Sequence, residues 1–284
     1  MNKLIKNSDS GNNADILNIT CDGQIRNANN RQSVKVRNAC SENVRETCDG
    51  QSVRAHDACN TKAYGTNNTK ACDYCNVAAC EFADQQPPAF CPQPNITKEM
   101  HDVAMRLYND PENHAIMESA ARVSANTVNS TRVQDTLKFA SYMKAHRIGI
   151  ATCTAMLKET RILSKLLRRA GFEVFAIGCK LESNHPSDLG IGAVSEKSVI
   201  CNPIMQALML NEAECDLNIM MGICVGHDAL FTKYSNAPTT TLVAKDFSAA
   251  NNPCAVLYTA KSVYKSKLDA TIEEIRERRE AHGE

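Results

Sequence analysis

Four short apolar runs constrain the fold of this chain more than any other feature. They are residues 147–152 (RIGIAT), 172–178 (FEVFAIG), 217–223 (LNIMMGI) and 239–244 (TTTLVA), and stretches of helical periodicity separate them. Strands that are apolar along their whole length suit a parallel sheet covered on both faces, because neither side of such a sheet meets water. The intervening segments supply the cover. Residues 97–109, 111–128 and 133–146 read as helices, the second opening on a proline in its first turn. Another helix runs from 155 to 170 and stops at Gly171, and others cover 203–214, a short stretch at 228–234, and 262–281. The expected fold class is α/β: a parallel sheet of at least four strands with helices on both faces, within a domain spanning 97–284 and ending in a charged helical extension.

The chain before this domain has a different character. Residues 1–68 are rich in Asn, Asp, Ser and Arg and show no sustained apolar period, so they cannot bury enough surface to offset the entropy of ordering. A disordered tail is expected. It contains an imperfect repeat, TCDGQ at 20–24 and again at 47–51, too irregular for a solenoid. Cys21, Cys40, Cys48 and Cys59 are separated by 18, 7 and 10 residues and offer no tight chelating pair.

Bulk charge narrows the choice of partners. Lys+Arg and Asp+Glu each number 32, so the summed field attracts neither nucleic acid nor an anionic membrane, and no basic patch with interleaved aromatics appears. The opening MNKLIKNSDSGNN lacks the apolar core of a secretory signal, and no run approaches the roughly 20 residues of a membrane span. A cytoplasmic protein is expected, with a small molecule or metal as ligand. Fourteen cysteines in such a chain then point to metal ligation or redox chemistry, since cytosolic thiols are kept reduced. Isolated ones such as Cys215 and Cys254 are expected simply to pack as small apolar residues.

Between residues 69 and 96, Cys72, Cys75, Cys80 and Cys91 are separated by two, four and ten residues. A two-residue gap lets two thiolates converge on one ion, and four sulfurs complete a tetrahedral shell. One metal centre is expected here, either zinc or an iron–sulfur cluster. Pro87, Pro88 and Pro92 stiffen the loop that closes it.

A second constellation lies just past the strands. In an open parallel sheet, ligands sit beyond the carboxyl ends of the strands, where loops and helix amino termini converge. The first strand runs into Cys153, the second into Cys179, the third into Cys224 followed by His227 and Asp228, and the fourth into Lys245 and Asp246. Cys201 adds a thiol at a helix start. Thiols, an imidazole and charged groups at successive strand ends make a shared cleft. In it Cys224 or Cys201 would be the reactive thiol, His227 the general acid/base, Asp228 its orienter and Lys245 an anchor or thiolate stabiliser. Cys153, Cys179 and Asp246 would bind the ligand. The bland alternative has the cysteines filling tight strand-to-helix corners. No glycine-rich phosphate loop and no GxSxG elbow occurs, which disfavours the usual nucleotide cofactors and a serine hydrolase.

The motifs CDYCNVAAC (72–80), FCP (90–92), RIGIATC (147–153), CNPIMQALMLNEAECDLNIMMGICVGHDALF (201–231), AP (237–238), LVAKD (242–246) and NNPCAVLY (251–258) together resemble the domain-of-unknown-function 1847 family, cysteine-rich proteins of bacteria and archaea. The resemblance spans residues 72 to about 264 and implies metal binding through the amino-terminal cysteines and an α/β body, without an established reaction. Members of that family often carry a basic residue after the Lys-Asp pair and a His-Asn-Pro turn; this chain has Phe247 and Asn251-Asn252-Pro253 instead. The expected function is therefore a metal-binding protein acting as a redox or metal-dependent enzyme. A non-enzymatic zinc-stapled sensor or carrier is the alternative.

Overall fold

The computed structural model describes residues 17–19, 25–27, 71–82, 84–125, 127–192 and 199–283 of the 284-residue chain. The chain divides into two units, Met1–Lys70 and Ala71–Glu284. In the first, Leu17–Ile19 (β1) pairs antiparallel with Ile25–Asn27 (β2). The four tail cysteines and the TCDGQ repeats lie outside the described residues.

The second unit holds the expected sheet. β3 (Arg147–Thr152), β4 (Glu173–Gly178), β5 (Leu217–Ile223) and β6 (Thr239–Ala244) are all parallel and lie in the order β4-β3-β5-β6. Three helices precede the sheet, α1 (Lys98–Tyr108), α2 (Pro111–Ser124) and α3 (Arg132–Tyr142). The connections between strands carry α4 (Leu157–Arg169), α5 (Pro203–Glu212) and α6 (His227–Tyr234). A further short helix not expected from the sequence, α7 (Pro253–Tyr258), precedes the terminal α8 (Lys265–Ala281). Among the described residues, no helix is long and apolar enough to cross a membrane.

Residue alternation along the strands divides the core in two. Ile148, Ile150, Leu217, Ile219 and Met221 pack with Ala140 of α3 and with Leu163 and Leu167 of α4. On the other face Ala151, Met220 and Ile223 pack with Ala207 and Leu210 of α5 and Phe231 of α6. Each fully buried aliphatic side chain contributes about 1.5–3 kcal/mol, so both faces are needed to hold the central strands. Because β4 and β5 lie on opposite sides of β3, the strand order reverses between β3 and β5. The crevice beyond that reversal is where an open α/β sheet receives its ligand.

One irregularity shapes that crevice. The β5–β6 register shifts on either side of Met221, and Gly222 has a φ of +68°. Simple alternation would place Ile223 on the face of Met221; instead it joins the α5/α6 core, and the chain leaves the sheet toward Cys224 from a re-aimed end. A Cβ at Gly222 would stand 2.0 Å from the Met156 sulfur. Gly222→Ala is expected to lose about 1–3 kcal/mol of stability through strain and overpacking. A lower urea midpoint with an unchanged m value checks this.

Candidate functional site: a strand-end thiol cluster

Strand register explains why the cysteines meet. Thr152 is level with Gly178 across the β3–β4 ladder, so the residues that follow them, Cys153 and Cys179, leave adjacent strands side by side. Thr152 is also level with Met221 of β5, and the Cys153 amide donates to the Met221 carbonyl at 3.1 Å, which carries the pairing one step past the strand. Cys153 then caps the turn leading into α4, its sulfur accepting from the Ala155 amide at 3.4 Å. Cys201 reaches the cluster through the start of α5. The Asn202 amide donates to the Cys179 carbonyl at 2.8 Å while the Asn202 side chain caps the helix, which fixes the preceding residue beside Cys179.

The result is a cluster of sulfurs. Cys201 donates to the Cys179 sulfur at an S–S separation of 3.5 Å, the β3–β4 register sets Cys179 beside Cys153, and Lys245 Nζ donates to the Cys153 sulfur at 3.0 Å. Cys224 also acts electrostatically on Lys245. Cys153 and Cys179 are buried, while Cys201, Cys224, His227 and Lys245 are half-buried.

These contacts set the charge states. Burial pushes the Cys153 thiol up, but the Lys245 hydrogen bond, the Ala155 amide, the lysine's charge and the Cys179 contact outweigh it and hold the thiol below its ordinary value. Burial likewise opposes the charge on Lys245, yet its bond to Cys153 and the effect of Cys224 raise its pKa. Cys201 behaves oppositely: burial, and then its contact with Cys179, push it up to about 11. His227 is held below the usual imidazole range by burial and by the charges of Lys180 and Lys245, against a smaller opposing effect of Asp228. Its ring is therefore neutral near pH 7, the form able to accept a proton.

The remaining expected residues divide in two. Asp228 acts on His227 through its charge, and its Oδ1 accepts from the Ala229 amide at 2.8 Å. Asp246 is occupied in a turn, where its carboxylate accepts from the Ala249 amide at 3.1 Å and its own amide donates to Asn251 Oδ1 at 3.0 Å. In that turn the Asn251 side chain serves the backbone rather than a ligand. Cys215 packs against the α5/α6 core, and burial pushes its thiol up to about 11. Cys254 is exposed on α7.

The amino-terminal cysteines have another setting. Cys72 opens one tight turn, closed by the Cys75 amide donating to the Cys72 carbonyl at 2.9 Å, and Cys80 lies in a second. The Cys91 sulfur accepts from the Gln93 amide at 3.5 Å. Tyr74 and Phe90, neighbours of Cys75 and Cys91, meet edge to face with centroids 6.2 Å apart and tie the two ends of the segment together. Cys72 and Cys80 are exposed, Cys75 and Cys91 half-exposed. Among the described residues no group of three His, Cys, Asp or Glu side chains is placed to hold one ion, so the structure does not converge these four sulfurs.

Sequence reasoning missed one residue that frames the cluster. Gln206 of α5 is fully buried, and its Nε2 donates to the Thr152 carbonyl at 3.1 Å and the Ile177 carbonyl at 2.8 Å. It ties the ends of β3 and β4 together just before Cys153 and Cys179, while its Oε1 has no hydrogen-bond partner among the described residues. A single glutamine in an apolar helix gives no signal of this in the sequence. Gln206→Leu is expected to leave two buried carbonyls short of donors, at a cost of about 1–3 kcal/mol. Thermal unfolding checks the loss, and Gln206→Met offers a second apolar side chain for comparison.

A doubly wound parallel sheet with a lysine-held thiol cluster at its topological switch point defines the class of this protein. Residues 91–242 match the family described as Protein of unknown function (DUF1847), and the chain belongs to that family. It is 37% identical over 174 residues to an uncharacterized protein of Methanocaldococcus jannaschii, an alignment covering 60% of this chain and 89% of the relative. No solved structure matches the chain.

Proposed function

We propose that this protein is a thiol-dependent redox enzyme acting on a small molecule in the strand-end cleft, with Cys153 as its nucleophile. The observation that carries the reading is the Lys245 ammonium 3.0 Å from the sulfur of the buried Cys153. A thiolate is the reactive form of cysteine, and burial without a cation would suppress it. Sequence alone favoured Cys224 or Cys201 for this role. Cys201, held protonated at neutral pH, suits proton donation better, and Cys224 acts on the same lysine. Neutral His227 is suited to take up a proton as the chemistry proceeds. A reducing compartment such as the cytosol fits ten described cysteines that are all free thiols.

Alkylation by iodoacetamide, followed against pH and mapped by mass spectrometry, tests this reading. Cys153 is expected to react from a pH below the ordinary thiol range. Lys245→Met should move that onset upward and slow Cys153 alkylation at neutral pH. Identical Cys153 profiles in the two proteins would remove the reading.

A metal on Cys72, Cys75, Cys80 and Cys91 forms a separate part of the proposal. It is supported by the ligand type, the spacing and the Tyr74–Phe90 contact. Bound there, zinc would staple the segment and an iron–sulfur cluster would carry electrons. Elemental analysis after anaerobic purification is expected to find about one centre per chain, lost in Cys75→Ser and kept in Cys224→Ala. Wild-type protein without metal would contradict it.

A further inference from the structure

The mechanism proposed above uses one thiol, but the structure aligns three. Cys179 is the middle member: buried, it stands at the strand end next to that of Cys153 and accepts from Cys201 on its other side. Its position is fixed by backbone rather than by chance side-chain packing. The Thr152–Gly178 register sets it beside Cys153, and the Asn202 amide on its own carbonyl sets it beside Cys201. A reactive thiolate alone needs neither neighbour. Two lysines act on the cluster: Lys245, and Lys180, which is anchored by donating to the Val199 carbonyl at 2.5 Å and whose charge is felt at both Cys201 and His227. Burial of Cys153 and Cys179 excludes a bulky protein surface and favours a slim sulfur-containing molecule, preferably one with negative charge.

We infer that Cys153, Cys179 and Cys201 form a three-sulfur relay that reduces low-molecular-mass organic disulfides and leaves its oxidising equivalents as a Cys179–Cys201 disulfide. This rests on the reading of Cys153 as nucleophile. The Cys153 thiolate attacks one sulfur of RSSR, forming a Cys153–SR mixed disulfide and expelling RS⁻. Cys179 then attacks Cys153, the Cys153–SR bond breaks, and the second thiol departs with the proton from Cys179. Cys201 finally attacks Cys179, forming the Cys179–Cys201 bond and releasing Cys153 as thiolate to Lys245; the proton of Cys201 passes to His227 or solvent. In sum, RSSR and two protein thiols become two RSH and one protein disulfide, so a single turnover needs no other reductant. Further turnovers require an external dithiol to reopen Cys179–Cys201.

The direction of the last exchange follows from leaving-group chemistry. Thiol–disulfide exchange expels the more acidic thiol and leaves the disulfide on the less acidic ones. Cys153, stabilised by Lys245, is the better leaving group, and Cys201, pushed up to about 11, the better resting partner. The 3.5 Å separation of Cys179 and Cys201 must close to about 2.05 Å, a short movement for a residue in the turn before α5.

The test is a single turnover of the fully reduced, full-length protein with glutathione disulfide, which carries carboxylates, and with the neutral hydroxyethyl disulfide. Thiol release is followed in time and linkages are mapped by mass spectrometry after acid quench. The wild type is expected to release two thiols per event, to acquire Cys179–Cys201 with Cys153 free, and to react several-fold faster with the charged disulfide. Cys179→Ser should stop at a Cys153 mixed disulfide with one thiol released, and Cys201→Ser at a Cys153–Cys179 bond. Linkage mapping in the wild type keeps the test decisive should a variant fail to fold. A wild-type protein whose Cys153 alkylates as expected but which forms no Cys179–Cys201 bond overturns the relay and leaves the nucleophile in place. An inert Cys153 in both experiments overturns both.

Discussion

The site depends on one interaction, the pairing of the Lys245 ammonium with the Cys153 sulfur. Lys245 leaves β6, which is separated from β3 by the whole of β5, so its side chain must cross two strand spacings of about 4.8 Å each. The crossing sets a half-buried cation over the switch point of the sheet. A charge in that position costs free energy unless a partner of opposite sign stands opposite it. A thiolate on Cys153 would be such a partner, and the proposed chemistry depends on it.

The rest of the fold serves that placement. Two cores, one on each face, fix the central strands, and the β3–β4 register brings Cys179 level with Cys153. Gln206 clamps the two strand ends from the α5 side, and the Gly222 bulge redirects the end of β5. Cys201 is set by the cap of α5. Together these devices bring the sulfurs of Cys153, Cys179 and Cys201, from two connections, to one place at the switch point.

Much of this was legible in the residue pattern. β3, β5 and β6 are legible from short runs rich in apolar and β-branched residues, and the strand-end rule points to Cys153, Cys179, Cys224 and Lys245. What the pattern could not reveal is which thiol the lysine meets, because that depends on how far a flexible side chain reaches across β5. It could not reveal Gln206, whose function lies in two carbonyls distant in sequence, nor that Asp246 and Asn251 serve a turn. The helix Pro253–Tyr258 is only six residues long, too short for helical periodicity to stand out. For Cys72, Cys75, Cys80 and Cys91 the spacing is the stronger signal, and the structure adds only the Tyr74–Phe90 clasp.

The charge pairing itself is tested most directly by titrating thiolate absorbance in the far ultraviolet, taking the difference between wild type and Cys153→Ser, with and without Lys245→Met. A difference spectrum that appears below the ordinary thiol range and moves upward when Lys245 is lost is the expected result. A Cys153 thiol that titrates at or above its ordinary value in the wild type, or ignores the lysine, would contradict the ion pair and the chemistry built on it.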